Sequence, residues 1–149
     1  AYRSIKNSEI EEIPIENGKL RLLAGHYETH IGYQSKYLPL DYYDIHLEAD
    51  ASLTINMKED ASVMLFTLLG DAYIGGELIA EKTAVKLTQG EQVTVKATDQ
   101  KAQVLFVSSK RLDESVAWGG PIVMNTKEEL NKAFDDLREG TFLQKHIDY

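Results

Sequence analysis

Apolar and polar side chains alternate with period two through most of residues 43–108. Tyr43, Ile45 and Leu47 alternate with Asp44, His46 and Glu48. Leu53, Ile55 and Met57 alternate with Ser52, Thr54 and Asn56. Side chains along a strand point in turn to either face, so this pattern predicts half-buried strands. Val63–Leu69 is nearly continuous and apolar, which predicts a strand buried on both faces. Tyr73-Ile74 and Glu77–Ala80 flank Gly75-Gly76, a two-residue turn in which positive φ carries no steric cost. Ile13–Ile15 and Lys19–Leu23 flank Glu16-Asn17-Gly18, a second hairpin signal. Ala84–Leu87 and Gln92–Lys96 flank a further turn, Thr88–Glu91, and Ala102–Val107 is another strand. Strands recurring about every 8–12 residues predict an antiparallel sandwich or jelly roll.

One helix is predicted, over residues 127–139. Thr126 is placed to cap it, and Glu129 three residues later completes a capping box. Leu130, Ala133, Phe134 and Leu137 form one apolar stripe. Glu128 and Lys132 are spaced as an i,i+4 pair, and Gly140 supplies the stop. A single helix of this length is marginal alone, so its stripe must dock on a sheet. Residues 26–43 are the least regular stretch and read as a loop. They hold Tyr27, Tyr33, Tyr37, Tyr42 and Tyr43, five of the eight tyrosines. Such a loop can stack a flat ligand, dock another domain, or pack its rings on its own sandwich.

Composition narrows the classes. At 149 residues and 43% hydrophobic, the chain is long enough for one domain with a real core and too apolar for disorder. It has no cysteine, which excludes disulfides, thiolate metal sites and thiol catalysis. No apolar run approaches the ~20 residues of a membrane span, and the first residues lack a signal-peptide core. A net charge of -8 argues against direct binding of nucleic acid. The expectation is a soluble cytoplasmic protein.

Candidate chemistry is sparse. His26, Glu28 and His30 would face one way if their segment were extended, and two imidazoles with a carboxylate suit iron or zinc. They do not form a zinc-protease motif, because Tyr27 stands where the glutamate must be. Asp44, His46 and Glu48 form a similar row. Tyr43, Ile45 and Leu47 must face the core, which turns that row to solvent. No histidine lies between His46 and His146. Ser108-Ser109 reads as a pair of surface hydroxyls. Gly70, Gly75 and Gly76 lack the Gly-Lys-Ser/Thr that a phosphate loop needs. The expectation is no catalytic residue and no cofactor, with His26, Glu28 and His30 as the sole metal candidates.

The segment Gly119-Gly-Pro-Ile-Val-Met-Asn-Thr-Lys-Glu-Glu-Leu-Asn-Lys-Ala-Phe134, followed by Gly140-Thr141-Phe142, resembles the C-terminal signature of the pirin family. Leu112–Val116, Asp71–Gly75 and Gly90–Val95 resemble three further family elements, and Tyr2–Lys6 with Ile10 and Ile13-Pro14 resembles the join between the two halves of a pirin. Ile122 stands for the family's Phe and Ser115 for its Pro. Pirins are bicupins. The resemblance implies a cupin-type double-stranded β-helix, with residues 1–149 as one C-terminal cupin domain and the N-terminal metal-binding half absent. The start at Ala1 fits an excised domain, a proteolytic remnant or ordinary Met removal. In the family, iron is held by three His and one Glu of the N-terminal half, and no position here matches them.

The implied role is non-catalytic, structural or interactive, with no metal of its own. The alternative is a part of a quercetin 2,3-dioxygenase-type iron enzyme, and a third reading is a sandwich that binds small molecules by itself. The implied partners are the N-terminal half or a second copy through an exposed face, with no membrane.

Overall fold

A computed structural model describes residues 4–143, so Tyr2, Arg3 and His146 lie outside the described residues. The chain divides into two compact units, one running to Arg111 and the other beginning at Leu112.

The first unit is the sandwich. After a short 3-10 turn at Asn7–Glu9 come β1 (Glu11–Ile15), β2 (Gly18–Ala24), β3 (His26–Tyr27), β4 (His30–Ile31), β5 (Leu40–Leu47) and β6 (Ser52–Asn56). There follow β7 (Ala61–Leu69), β8 (Ala72–Ile74), β9 (Glu77–Ile79), β10 (Ala84–Lys86), β11 (Gln92–Ala97) and β12 (Ala102–Lys110). One sheet has the order β1-β2-β5-β12-β7-β10 and the other β6-β11-β8-β9. Both are antiparallel throughout. The central strand β12 joins β5 on one side to β7 on the other. The core lies between the sheets. Leu20, Leu22, Ile45, Leu65, Val104 and Phe106 come from the larger sheet, and Ile55, Ala72, Ile74, Val93 and Val95 from the smaller. Each large side chain so buried contributes about 1.5–3 kcal/mol relative to exposure. Thr67, also fully buried, keeps its hydroxyl satisfied by the Ala80 carbonyl at 2.6 Å and the Thr83 N–H at 3.0 Å. The expected all-β, cupin-type sandwich with one C-terminal helix is the observed fold.

Both predicted tight hairpins form. Asn17 takes positive φ in the first, and Gly75 and Gly76 in the second. Three expectations change. First, β7 is fully buried on one face only: Val63, Leu65 and Thr67 are inside, while on the other face Met64 is 49% exposed and Phe66 and Leu68 are half-buried. Second, β10 and β11 are not partners. The first pairs with β7 and the second with β6 and β8, so residues 87–91 carry the chain from one sheet to the other. Third, residues 26–43 are not one loop. They contain the β3–β4 hairpin and the start of β5, so Tyr42 and Tyr43 belong to a strand.

The second unit is a hairpin, β13 (Ala117–Gly119) with β14 (Ile122–Met124), and the helix α1 (Lys127–Glu139). The helix has the predicted bounds. The Thr126 hydroxyl accepts the Glu129 N–H, the Glu129 carboxylate accepts the Thr126 N–H, and Gly140 closes the helix at φ 73°. Within this unit the apolar stripe lies on the β13–β14 sheet. Ala133 is buried, and the Phe134 ring and Leu130 lie over Gly119, where a Cβ would sit 3.0 Å from the ring. Lys132 pairs forward with Asp136 at 2.8 Å rather than back with Glu128.

Candidate functional site

The three metal candidates do not converge. Glu28 adopts φ 51° and Thr29 follows it, so the chain turns back between His26 and His30 instead of running extended. His26 stands opposite Ile31 and His30 opposite Tyr27, which places the two imidazoles on opposite faces of a two-stranded hairpin. His30 Nδ1 lies 2.8 Å from a Glu11 carboxylate oxygen. Among the described residues no group of three or more His, Asp or Glu is arranged to hold a metal ion.

The second row differs from expectation in one member. His46 and Glu48 are solvent-accessible, and Glu48 pairs with Lys101 at 2.7 Å. Asp44 points away from the core yet is only 5% exposed. Its neighbours on the outer sheet face cover it. Gln103 donates to one carboxylate oxygen at 2.7 Å, Arg21 to the other at 3.1 Å, and His46 Nε2 lies 3.1 Å from that same oxygen. Arg21 also reaches Asn7 at 2.6 Å and Glu12 at 3.3 Å. Burial alone would raise the Asp44 carboxyl. The Gln103 hydrogen bond, with His46 and Arg21, outweighs it and holds the group below its ordinary range. With its lone pairs committed, this acid ties β2, β5 and β12 together and is not poised for proton transfer.

A concave site lies elsewhere, at the mouth of the barrel between the sheets. A cavity of about 280 Å³ opens there, bordered by the ends of β5, β6 and β12 and the segment after β6. Its floor is aromatic. Tyr43 and Phe106 stack with centroids 5.0 Å apart and planes 10° apart, and Tyr27 meets Tyr43 edge-on at 5.6 Å. The Tyr43 hydroxyl donates to the His26 carbonyl, and burial pushes its phenol well above the usual range, so it stays protonated. The next inward position on β12 is Ser108, 6% exposed and not a surface hydroxyl. Ser109 faces the other way and donates to the Pro39 carbonyl at 2.7 Å. Asp41 accepts the His26 N–H at 3.0 Å and so pins the β3–β4 hairpin beside the mouth. That approach needs Gly25, at φ 84°, where a Cβ would come within 2.2 Å of the Asp41 carboxylate. Lys58, Asp60 and Lys110 are exposed at the rim.

An iron centre of cupin type needs several imidazoles and a carboxylate converging from inward strand positions. The inward positions at this mouth include Asp41, Tyr43, Phe106 and Ser108, one carboxylate and no imidazole, and the three described histidines lie on the β3–β4 hairpin or the outer sheet face. Among the described residues, those at this mouth do not fit iron. Sequence reasoning missed the mouth because Ser108 read as a surface hydroxyl and residues 26–42 as a loop, although the inward alternation of Tyr43 was legible. Apolar Phe106 within the strand read at Ala102–Val107 was a second legible sign.

Residues 42–143 match the family described as the pirin C-terminal cupin domain. A pirin-like protein of Caulobacter vibrioides is 33% identical over 101 residues, which cover 68% of this chain and 36% of that protein. Human pirin is 30% identical over 146 residues, covering 92% of this chain and 49% of pirin. A solved quercetin 2,3-dioxygenase from Acinetobacter baumannii superposes with a TM-score of 0.86 at 26% identity, covering 96% of this chain and 51% of that one. The chain thus spans about half the length of the relatives it matches.

Proposed function

The chain belongs to the pirin family, as its C-terminal cupin domain, and we propose that it is a non-catalytic half whose role is structural or interactive. The observation that carries this reading is the filling of the barrel mouth. The Tyr43–Phe106 stack and Ser108 occupy inward positions from which metal ligands would converge. Such a half supports a partner domain, either an N-terminal cupin of the same protein or a second copy of this chain. The relatives' twofold greater length supports the first. Among the described residues no helix is long and apolar enough to cross a membrane, and we place the protein in the cytoplasm.

The test is metal analysis of chain purified without an affinity tag, alongside oxygen uptake with quercetin. We expect iron far below one equivalent and no uptake. One equivalent of iron with turnover, lost in His26→Ala or His30→Ala, would overturn the reading.

A second reading is favoured by the likeness to the Acinetobacter enzyme over nearly the whole chain. Here the chain is the metal-free part of a quercetin 2,3-dioxygenase-type enzyme. It expects turnover only when an iron-binding cupin half is joined to it.

A further inference from the structure

The barrel mouth has features that a purely structural plug would not need. Ser108 is an inward-facing polar side chain, 6% exposed, and its hydroxyl has no hydrogen-bond partner among the described residues. The hydroxyl faces the cavity and is open to water there, so an acceptor that enters from outside can take its hydrogen bond in place of water. Beside it the cavity offers an apolar floor, Met57 and Ala61 with the edge of the buried Phe106 ring. Its volume of about 280 Å³ lies at the small end of ligand pockets.

The rim supplies charge. Lys58 and Lys110 border the opening, and neither ammonium has an ion-pair partner among the described residues. What these two share is their place at the rim of one cavity. Two carboxylates also lie here. Asp41 is engaged with the His26 N–H, and Asp60 is exposed on the segment after β6. A lysine's four-carbon stem can swing its charge over an opening, whereas an aspartate's short side chain cannot follow. The mobile charge at the mouth is therefore positive.

We propose that this mouth binds a small carboxylate-bearing apolar molecule. Its hydrocarbon part lies against Met57 and Ala61 beside Phe106, and its carboxylate takes hydrogen bonds from Ser108 and the two lysine ammonium groups. No bond is made or broken, and no metal takes part. The proposal therefore stands or falls separately from the metal-free reading, whose test is iron content.

The experiment is a 15N NMR titration of the chain with sodium octanoate, 1-octanol and octylamine in parallel. Octanoate is expected to give saturable shifts centred on Phe106, Ser108 and Lys110, and to bind more tightly than the alcohol or the amine. The double variant Lys58→Gln/Lys110→Gln changes exposed side chains only and keeps the fold. It is expected to weaken octanoate roughly fivefold or more, as partly screened ion pairs allow, while leaving octanol unchanged. Ser108→Ala should weaken octanoate and octanol together. Equal affinity for all three probes, preference for the amine, shifts scattered outside the mouth, or no saturable shift at millimolar octanoate would each overturn the proposal.

Discussion

At the scale of single residues, Asp44 carries the clearest consequence. Its carboxyl is held lower in the folded chain than in the unfolded one, so its contribution to stability is complete above the ordinary carboxylate range. That contribution disappears as the pH falls below that range. Urea unfolding of the natural chain at pH 7 and pH 3 should show a larger loss than the same comparison for Asp44→Asn. Equal losses would mean that the acid is not held down. At pH 7, Asp44→Ala should cost about 1–3 kcal/mol, since it leaves Gln103 without its acceptor and Arg21 with only Asn7 and Glu12. The two phenylalanines separate by burial. Phe106 is 1% exposed and stacked on Tyr43, so Phe106→Ala should cost about 3–5 kcal/mol. Phe134 is 36% exposed, and urea midpoints should show a smaller loss for Phe134→Ala. The alternation of β5 placed Asp44 on the outer face correctly. It could not show burial there, because the covering side chains, Arg21 and Gln103, arrive from strands distant in sequence.

At the scale of elements, the helix was legible end to end because its signals are local. Thr126, Glu129 and Gly140 specify its limits within a few residues of themselves. Thr126→Ala should therefore cost about 1 kcal/mol. Hydrogen exchange should quicken at the first helical amides while the sandwich strands keep their protection. Unchanged exchange in the first turn would show that the cap contributes nothing. Strand existence was likewise readable from period two, but strand partnership was not. Nothing within residues 84–97 distinguishes a hairpin from two strands that part into different sheets, because each takes its partner from far along the chain. The β3–β4 turn was hidden for a different reason. Glu28 takes the left-handed conformation without the glycine or asparagine that usually announces it. The short strands β13 and β14 were hidden because Trp118 is 74% and Val123 59% exposed, which breaks the relation between apolar character and burial.

For the whole molecule, the division after Arg111 is the feature to test. Residues 112–116 are exposed and carry no regular structure. Brief trypsin digestion should cut first after Arg111, and mass spectrometry should find the pieces 1–111 and 112–149. A first cut inside the sandwich would count against two units. The sandwich itself has an order of assembly built into it. Strand β12 lies between β5 and β7, yet it is the last strand of its sheet in sequence. On a ribosome adding about 5–20 residues per second, β5 is complete roughly 3–13 s before its partner has been made. During that interval the Leu40–Leu47 edge and the apolar faces beside it have no mate. Synthesis therefore passes through a window in which these strands can pair with a neighbouring nascent chain, and the pace of translation up to Lys110 bears directly on the yield of folded protein.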